Sequence, residues 1–397
     1  MSAPAGLLRR SPAFGSLVAA RGVSLVGDGV GYLALIVHLQ RTEGAGTAVA
    51  LLLLMVSLPS LLSPVLGVAA DRVDQRRLLI AGELGQALVV GAVIVWLPPT
   101  PVLLALVLAK ATIATISEPA GRSVVPAVVD DRDLPRANSI LGGVHQGGDV
   151  VGALVGGVVV AVGGVRAGLV VDAGSFVLSA PLLLRLPMVE RDPEAATGGS
   201  WWRDAVDGLV IMWRIPLARA MAVAMFLIAL SAADDAAVPF LATELGAGER
   251  GLGVLVGAVG AGLVVGYATI ASRWDGTGRT LGFVAGGNVM GLGNVLTAAA
   301  PTLPLAVAGQ LLRGFGGAVL EASLNTLVQR GVPKHALGRV FANVYGAANV
   351  AALAALLVGG PLLDATSPRF VLAVSGATVI AGAACAGVML RRPERPG

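Results

Sequence analysis

A single cysteine, Cys385, in 397 residues excludes an internal disulfide. Three histidines, none at ligand spacing from another or from the cysteine, exclude a zinc-type site. No P-loop is present, which disfavours ATP-driven work by this chain alone, and no nucleophile with a neighbouring base suggests catalysis. An enzyme, a cofactor and a metal are therefore not expected. Aromatic residues make up only 4%, so a cavity walled by stacked rings is not evident, and aliphatic walls point to an amphipathic or hydrophobic ligand. Charged residues are scarce as well, at 13%.

Apolar residues fill that space: 55% of the chain is hydrophobic and the mean hydropathy is +0.82, the composition of an integral membrane protein. A helix needs about 20 apolar residues to cross a hydrocarbon core. Twelve such segments recur, over approximately 14–38, 47–69, 78–97, 101–121, 138–163, 166–186, 216–242, 251–272, 280–299, 303–324, 340–362 and 369–390. The first begins after Arg9-Arg10 but is long and carries Arg21 and Asp28, so it reads as an uncleaved span.

The pI near 9.8 does not mark a nucleic-acid binder, because the basic residues are spread among short loops. Of the 28 lysines and arginines, 21 fall in the amino-terminal segment, the alternate loops and the carboxy-terminal segment. Only Arg41, Arg166, Arg250 and Arg369 lie in the opposite loops, and Arg21, Lys110 and Arg313 lie inside spans. This bias predicts both termini in the cytoplasm.

The most polar stretch, Pro187 to Ser200, separates six spans from six. The expected organisation is an all-α membrane protein of two pseudo-symmetric six-helix bundles, 1–186 and 216–397. They are joined by a cytoplasmic linker, 187–215, in which Trp202, Val206, Leu209 and Trp213 recur at the spacing of a surface helix. The halves echo each other: Lys110 and Glu118 in span four are eight apart, as are Arg313 and Glu321 in span ten. Arg136-Ala-Asn138 follows the first pair and Arg339-Val-Phe-Ala-Asn343 the second. A polar pattern repeated in corresponding spans points to a transporter with a site near the midplane between two related bundles.

The loop between spans two and three reads Gly67-Val-Ala-Ala-Asp71-Arg72-Val-Asp74-Gln75-Arg76-Arg77. Gly67, Ala70, Asp71, Arg72, Arg76 and Leu79 match the G-x-L-A-D-R-x-G-R-R-x-x-L signature, while Ala69, Asp74 and Gln75 depart from it. With twelve spans in two sets, the chain resembles the major facilitator superfamily. Gly27-Asp28, Pro135-Arg136-Ala137-Asn138 and Gly338-Arg339-Val340-Phe341 look like its branch of bacterial siderophore, macrolide and multidrug exporters. The exporter pattern G-x8-G-x3-G-P-x2-G-G is met by Gly148, Gly152, Gly156 and Gly157, with Ser139 in place of the first glycine and Ala153 in place of the proline. Glycines four apart also permit close helix packing whatever the direction of transport. The resemblance implies an inner gate in which Asp71, Arg72 and Arg76 pair with helix ends, Glu118 and Glu321 among them. It also implies that Lys110 stands where other members carry an arginine.

A charge near the centre of a span costs roughly 2.5–3.5 kcal/mol on insertion scales, so each one is a functional candidate. Asp28 and Asp149 lie near the middle of spans one and five, where a carboxyl in low dielectric can exchange a proton. His145 precedes Asp149 by one turn and could relay to it. Arg21 and Asp28 are separated by about 10 Å of helix rise, so each is expected to pair across helices. Asp172, Asp234, Asp235, Lys110 and Arg313 complete the set of cavity or charge-pair candidates. Adjacent Asp234 and Asp235 point about 100° apart and are not expected to face a cavity together.

The expected function is secondary active transport in the inner membrane, driven by protons and exporting a small amphipathic organic molecule. Its partners are that molecule, protons and the lipid bilayer, with no nucleic acid; the oligomeric state is open, monomer included. Two other readings stand beside it, a proton-coupled importer and a transport-inactive sensor or scaffold.

Overall fold

The computed structural model describes residues 5–62, 73–188, 210, 212–273, 279–333 and 337–391. Among them there is no strand; nearly all are helical. A short helix Ala5–Arg10 leads into α1, Pro12–Thr42, and α2, Gly46–Ser57, which ends in a 3₁₀ turn, Leu58–Leu62. Then follow α3, Gln75–Trp96, and α4, Thr100–Ser123. Residues Leu134–Leu183 run as one helical segment broken at Gly164, giving α5 before the break and α6 after it. The second half holds α7, Pro216–Glu244, α8, Gly248–Arg273, and α9, Arg279–Ala299, followed by α10, Leu303–Gly331, α11, Leu337–Ala365, and α12, Pro368–Arg391.

Ten helical stretches are long and apolar enough to span a membrane, one of them containing the α5–α6 break, and α2 is a shorter apolar helix. With α5 and α6 counted apart, these are the twelve spans read from the sequence. The expected loop between spans five and six is reduced to one residue's reversal. Gly164 has φ 75° and ψ −179°, a conformation that a side chain at this position would strain.

The described residues form two compact units, one within 1–42 and 55–198, the other within 43–54 and 199–397. The start of α2 therefore groups with the second unit. There Asp364 of α11 accepts bonds from the Gly46 and Thr47 amides and from the Thr47 hydroxyl, capping the α2 amino terminus. Prolines open α1, α7 and α12, where the missing N–H has no helical partner to lose. Asp74 caps α3 by accepting from the Arg77 amide at 2.9 Å.

Large apolar side chains such as Leu88, Val95, Val162, Leu281 and Val358 point outward, as a lipid-facing surface requires. Inside each unit, helices approach through glycines, because lipid supplies no hydrophobic drive toward helix contact. In the first unit, Gly148, Gly152 and Gly156 of α5 lie against α1. A Cβ at Gly152 would sit 2.9 Å from the Gly29 Cα and 2.9 Å from the Val26 carbonyl oxygen, and one at Gly156 would sit 3.1 Å from the Val30 Cα. Gly157 is buried beside them. In the second unit Gly314 of α10 meets the Val259 carbonyl of α8 in the same way. Because backbone is what a side chain at Gly152 would meet, Gly152→Val should destabilise the protein by about 1–3 kcal/mol. A lowered melting temperature in detergent measures this; an unchanged one contradicts the tight α1–α5 crossing.

Several motif residues, Gly67, Asp71 and Arg72 among them, fall outside the described residues, as do Trp202, Val206 and Leu209 of the expected surface helix.

Candidate functional site

In the first unit, α1 presents Arg21, Ser24 and Asp28 to a cavity of about 800 Å³. Gln86 of α3, Ser117 and Glu118 of α4, and Asn138 and His145 of α5 complete its polar lining. Leu17, Leu25, Ala114 and Leu141 supply the apolar part.

Lys110 of α4 stands at the edge of this lining. Its Nζ lies 2.7 Å from Asp28 Oδ1 and 2.8 Å from Asp172 Oδ2 of α6, and 5.0 Å from the centre of the Phe176 ring. The two acids differ in exposure: the Asp172 side chain is 1% exposed, that of Asp28 37%. Gly31 makes this possible, since a Cβ there would collide with the Asp172 carboxylate. One cation is thus shared between a sealed carboxylate and an accessible one. Asp172 Oδ1 has no hydrogen-bond partner among the described residues. A buried acid that the sequence reading passed over, Glu83 of α3, accepts from the Ser179 hydroxyl at 2.5 Å. Its signal was an acid near the centre of an apolar stretch, the same signal that marked the others.

Arg21 and Asp28 do not pair with each other. Arg21 donates to the Glu118 carbonyl at 3.4 Å, and Gly121 leaves room for its guanidinium, since a Cβ there would sit 2.7 Å from Nη2. Arg76, expected to pair with Glu118 or a neighbouring helix end, donates to the carbonyl of Leu186, just beyond the end of α6, at 3.2 Å. Glu118, five residues before the end of α4, lines the cavity. The backbone of Asp149 lies one turn beyond His145 in α5; its side chain is outside the described residues, while His145 lines the cavity.

In the second unit the cation is Arg313 of α10. Its Nη2 lies 3.1 Å from Asp234 Oδ2 and 2.9 Å from Asp235 Oδ1, both of α7. A 3₁₀ turn, Leu230–Ala233, interrupts α7 immediately before these acids. The neighbours diverge as helix geometry demands, one 0% and the other 55% exposed, yet a single guanidinium reaches both. Asn294 of α9 donates to Asp234 Oδ2 at 2.7 Å, and Gln310 donates to the Thr297 hydroxyl at 3.3 Å, partners that carry no charge and so left no mark in the sequence. Glu321 accepts from the Tyr267 hydroxyl at 2.6 Å.

Each unit therefore holds one span-centred cation clamped by two carboxylates, one sealed and one accessible. Such a cluster keeps one carboxylate accessible beside a buried ion pair. Among the described residues no group of three or more His, Cys, Asp or Glu is placed to hold a metal.

The model of the Major Facilitator Superfamily matches residues 13–234 and 235–397. YfiS of Bacillus subtilis (strain 168), an uncharacterized MFS-type transporter, is 25% identical over 94% of this chain and 92% of its own. The enterobactin exporter EntS of Escherichia coli O1:K1 / APEC is 27% identical over the same shares. In fold, the chain is similar to the nucleoside transporter NupG, with TM-score 0.78 and 13% identity over 96% of this chain and 100% of that one. A bacterial homologue of the iron transporter ferroportin gives TM-score 0.73 and 17% identity over 96% and 99%. The chain belongs to the Major Facilitator Superfamily and is a multi-pass membrane transporter of that family.

Proposed function

We propose that the protein is a proton-coupled exporter of a small amphipathic organic molecule, working by alternating access in the inner membrane with both termini in the cytoplasm. The observation that carries this reading is the Asp28–Lys110–Asp172 cluster at the edge of a cavity. A proton taken up by Asp28 would leave Lys110 to Asp172 alone, changing the charge facing the cavity without dismantling the sealed pair. That change biases the access equilibrium, and the substrate senses the same carboxylate. His145 and Asp149 would extend the proton path along α5. The lining combines leucines with Arg21, Gln86 and Asn138, which supports a substrate with both apolar bulk and hydrogen-bonding groups. It is more polar than the composition led one to expect.

The similarity to EntS supports export. Import keeps one observation in its favour, Ala153 at the proline position of the exporter pattern. Everted membrane vesicles with an acidic lumen separate the two. Gradient-driven accumulation of compounds to which a deletion strain is sensitive is the expected result. Uptake into whole cells with no accumulation in vesicles would overturn export.

A further inference from the structure

Aromatic side chains are scarce in this chain, yet two of its three tyrosines lie around one carboxylate of the second unit, one bonded to it and the other bonded one turn away. Glu321 of α10 accepts the Tyr267 phenolic proton from α8 at 2.6 Å. Tyr345 of α11 donates to Asn325 Oδ1 at 3.1 Å, one turn beyond Glu321 on the same helix face, and lies within electrostatic reach of its carboxylate. Phe341, one turn before Tyr345, stacks on that ring with centroids 6.2 Å apart and planes 17° apart. All of these side chains are half-buried, so the cluster keeps accessible surface.

Packing accounts for part of this arrangement. Phe341 and Tyr345 lean on the core formed by Leu320, Leu324, Val340 and Val344. It does not account for the charge. A single phenol satisfies one lone pair of Glu321 and leaves the negative charge, and among the described residues no lysine or arginine forms an ion pair with it. Asp28, Asp172, Asp234 and Asp235 are all paired. The counterpart of Glu321 in the repeat, Glu118, lines the cavity of the first unit.

We infer that Glu321, Tyr267, Tyr345 and Phe341 form a subsite for a cationic organic group. The carboxylate supplies the opposite charge, and the electron-rich ring faces attract a polarizable cation such as an ammonium or a delocalised aromatic cation. An inorganic ion would want several oxygen ligands, whereas the oxygens here are engaged with one another, Tyr267 on Glu321 and Tyr345 on Asn325. The assignment rests on the transporter reading in one respect: it makes the positive end of an amphipathic cargo the part held here.

Ethidium tests this with the full-length protein in lipid nanodiscs and no gradient, its binding followed by fluorescence anisotropy. Wild-type protein should bind it saturably, Glu321→Gln should weaken binding by about tenfold or more, and Tyr267→Phe, which keeps the ring, should change it by less than about threefold. Should Glu321→Gln not accumulate, Tyr345→Ala gives the same readout, with a loss of about tenfold in support and unchanged binding against. No saturable binding to the wild type, or equal binding by Glu321→Gln, overturns the subsite. Gradient-driven export of neutral compounds alongside either of those results would leave the transporter reading standing. Glu321-dependent binding without gradient-driven movement of any compound would sink that reading and support the subsite.

Discussion

Replacing Arg313 by alanine is expected to destabilise the protein by about 3–5 kcal/mol, the cost of stripping one partner from a buried charge pair. Asp234 is fully buried, and its Oδ1 already lacks a partner among the described residues. Without the guanidinium, its charge would rest on the Asn294 side-chain amide and the Asp235 backbone amide. Arg313→Lys should fall between wild type and alanine, because a point ammonium cannot fork to Asp234 and Asp235 as a guanidinium does. Combining Arg313→Met with Asp234→Leu should recover most of the stability, since no buried charge is then stranded and Asp235, 55% exposed, is left to water. Thermal melting in detergent measures all three. An alanine variant that melts with the wild type would show that Arg313 does not neutralise Asp234.

The Asp28→Asn variant is expected to separate coupling from folding. Lys110 keeps its contact with Asp172 at 2.8 Å and its place over the Phe176 ring, so the melting temperature should change little. The accessible carboxylate is what disappears, and with it the group proposed to take the proton. Gradient-driven transport should fall by a factor on the order of 5–150, the range of a coupling free energy of about 1–3 kcal/mol. Exchange without a gradient should persist. Lys110→Ala would lose both properties, because two carboxylates would then face each other without a cation. Full gradient-driven transport by Asp28→Asn would move the coupling role to another acid, with Asp149 and Glu83 next in line.

The spans and their polar interruptions were legible because each depends on local composition: about 20 apolar residues make a span, and a charge inside one stands out against them. Lys110, Asp172, Arg313 and Asp234 could therefore be named as charges in need of partners. Which partner each takes was not legible, because Asp28, Lys110 and Asp172 come from α1, α4 and α6, and their meeting depends on how those helices pack. Gly31 shows the difficulty. It reads as one more small residue in a glycine-rich helix, and only the packed structure reveals that its missing side chain makes room for Asp172. Asn294 and Tyr267 were passed over for a related reason, since a neutral side chain does not announce an ion-pair role. For Arg76 the loop motif indicates contact with Glu118 or a neighbouring helix end without specifying the atom, and the acceptor is the backbone carbonyl of Leu186, just beyond the end of α6. The break between spans five and six was legible at 164–165, between the apolar runs 138–163 and 166–186, but not that Gly164 alone makes it, since no polar loop intervenes.

In the proposed mechanism, substrate movement and proton movement are coupled through the accessible carboxylate beside Lys110. Its most direct test is proton release in everted vesicles acidified by respiration and monitored with a pH-quenched acridine dye. Adding a transported compound should dequench the dye in vesicles carrying the wild-type protein and leave it quenched in those carrying Asp28→Asn. Substrate entry with no dequenching in the wild type, or equal dequenching in both, would contradict the account.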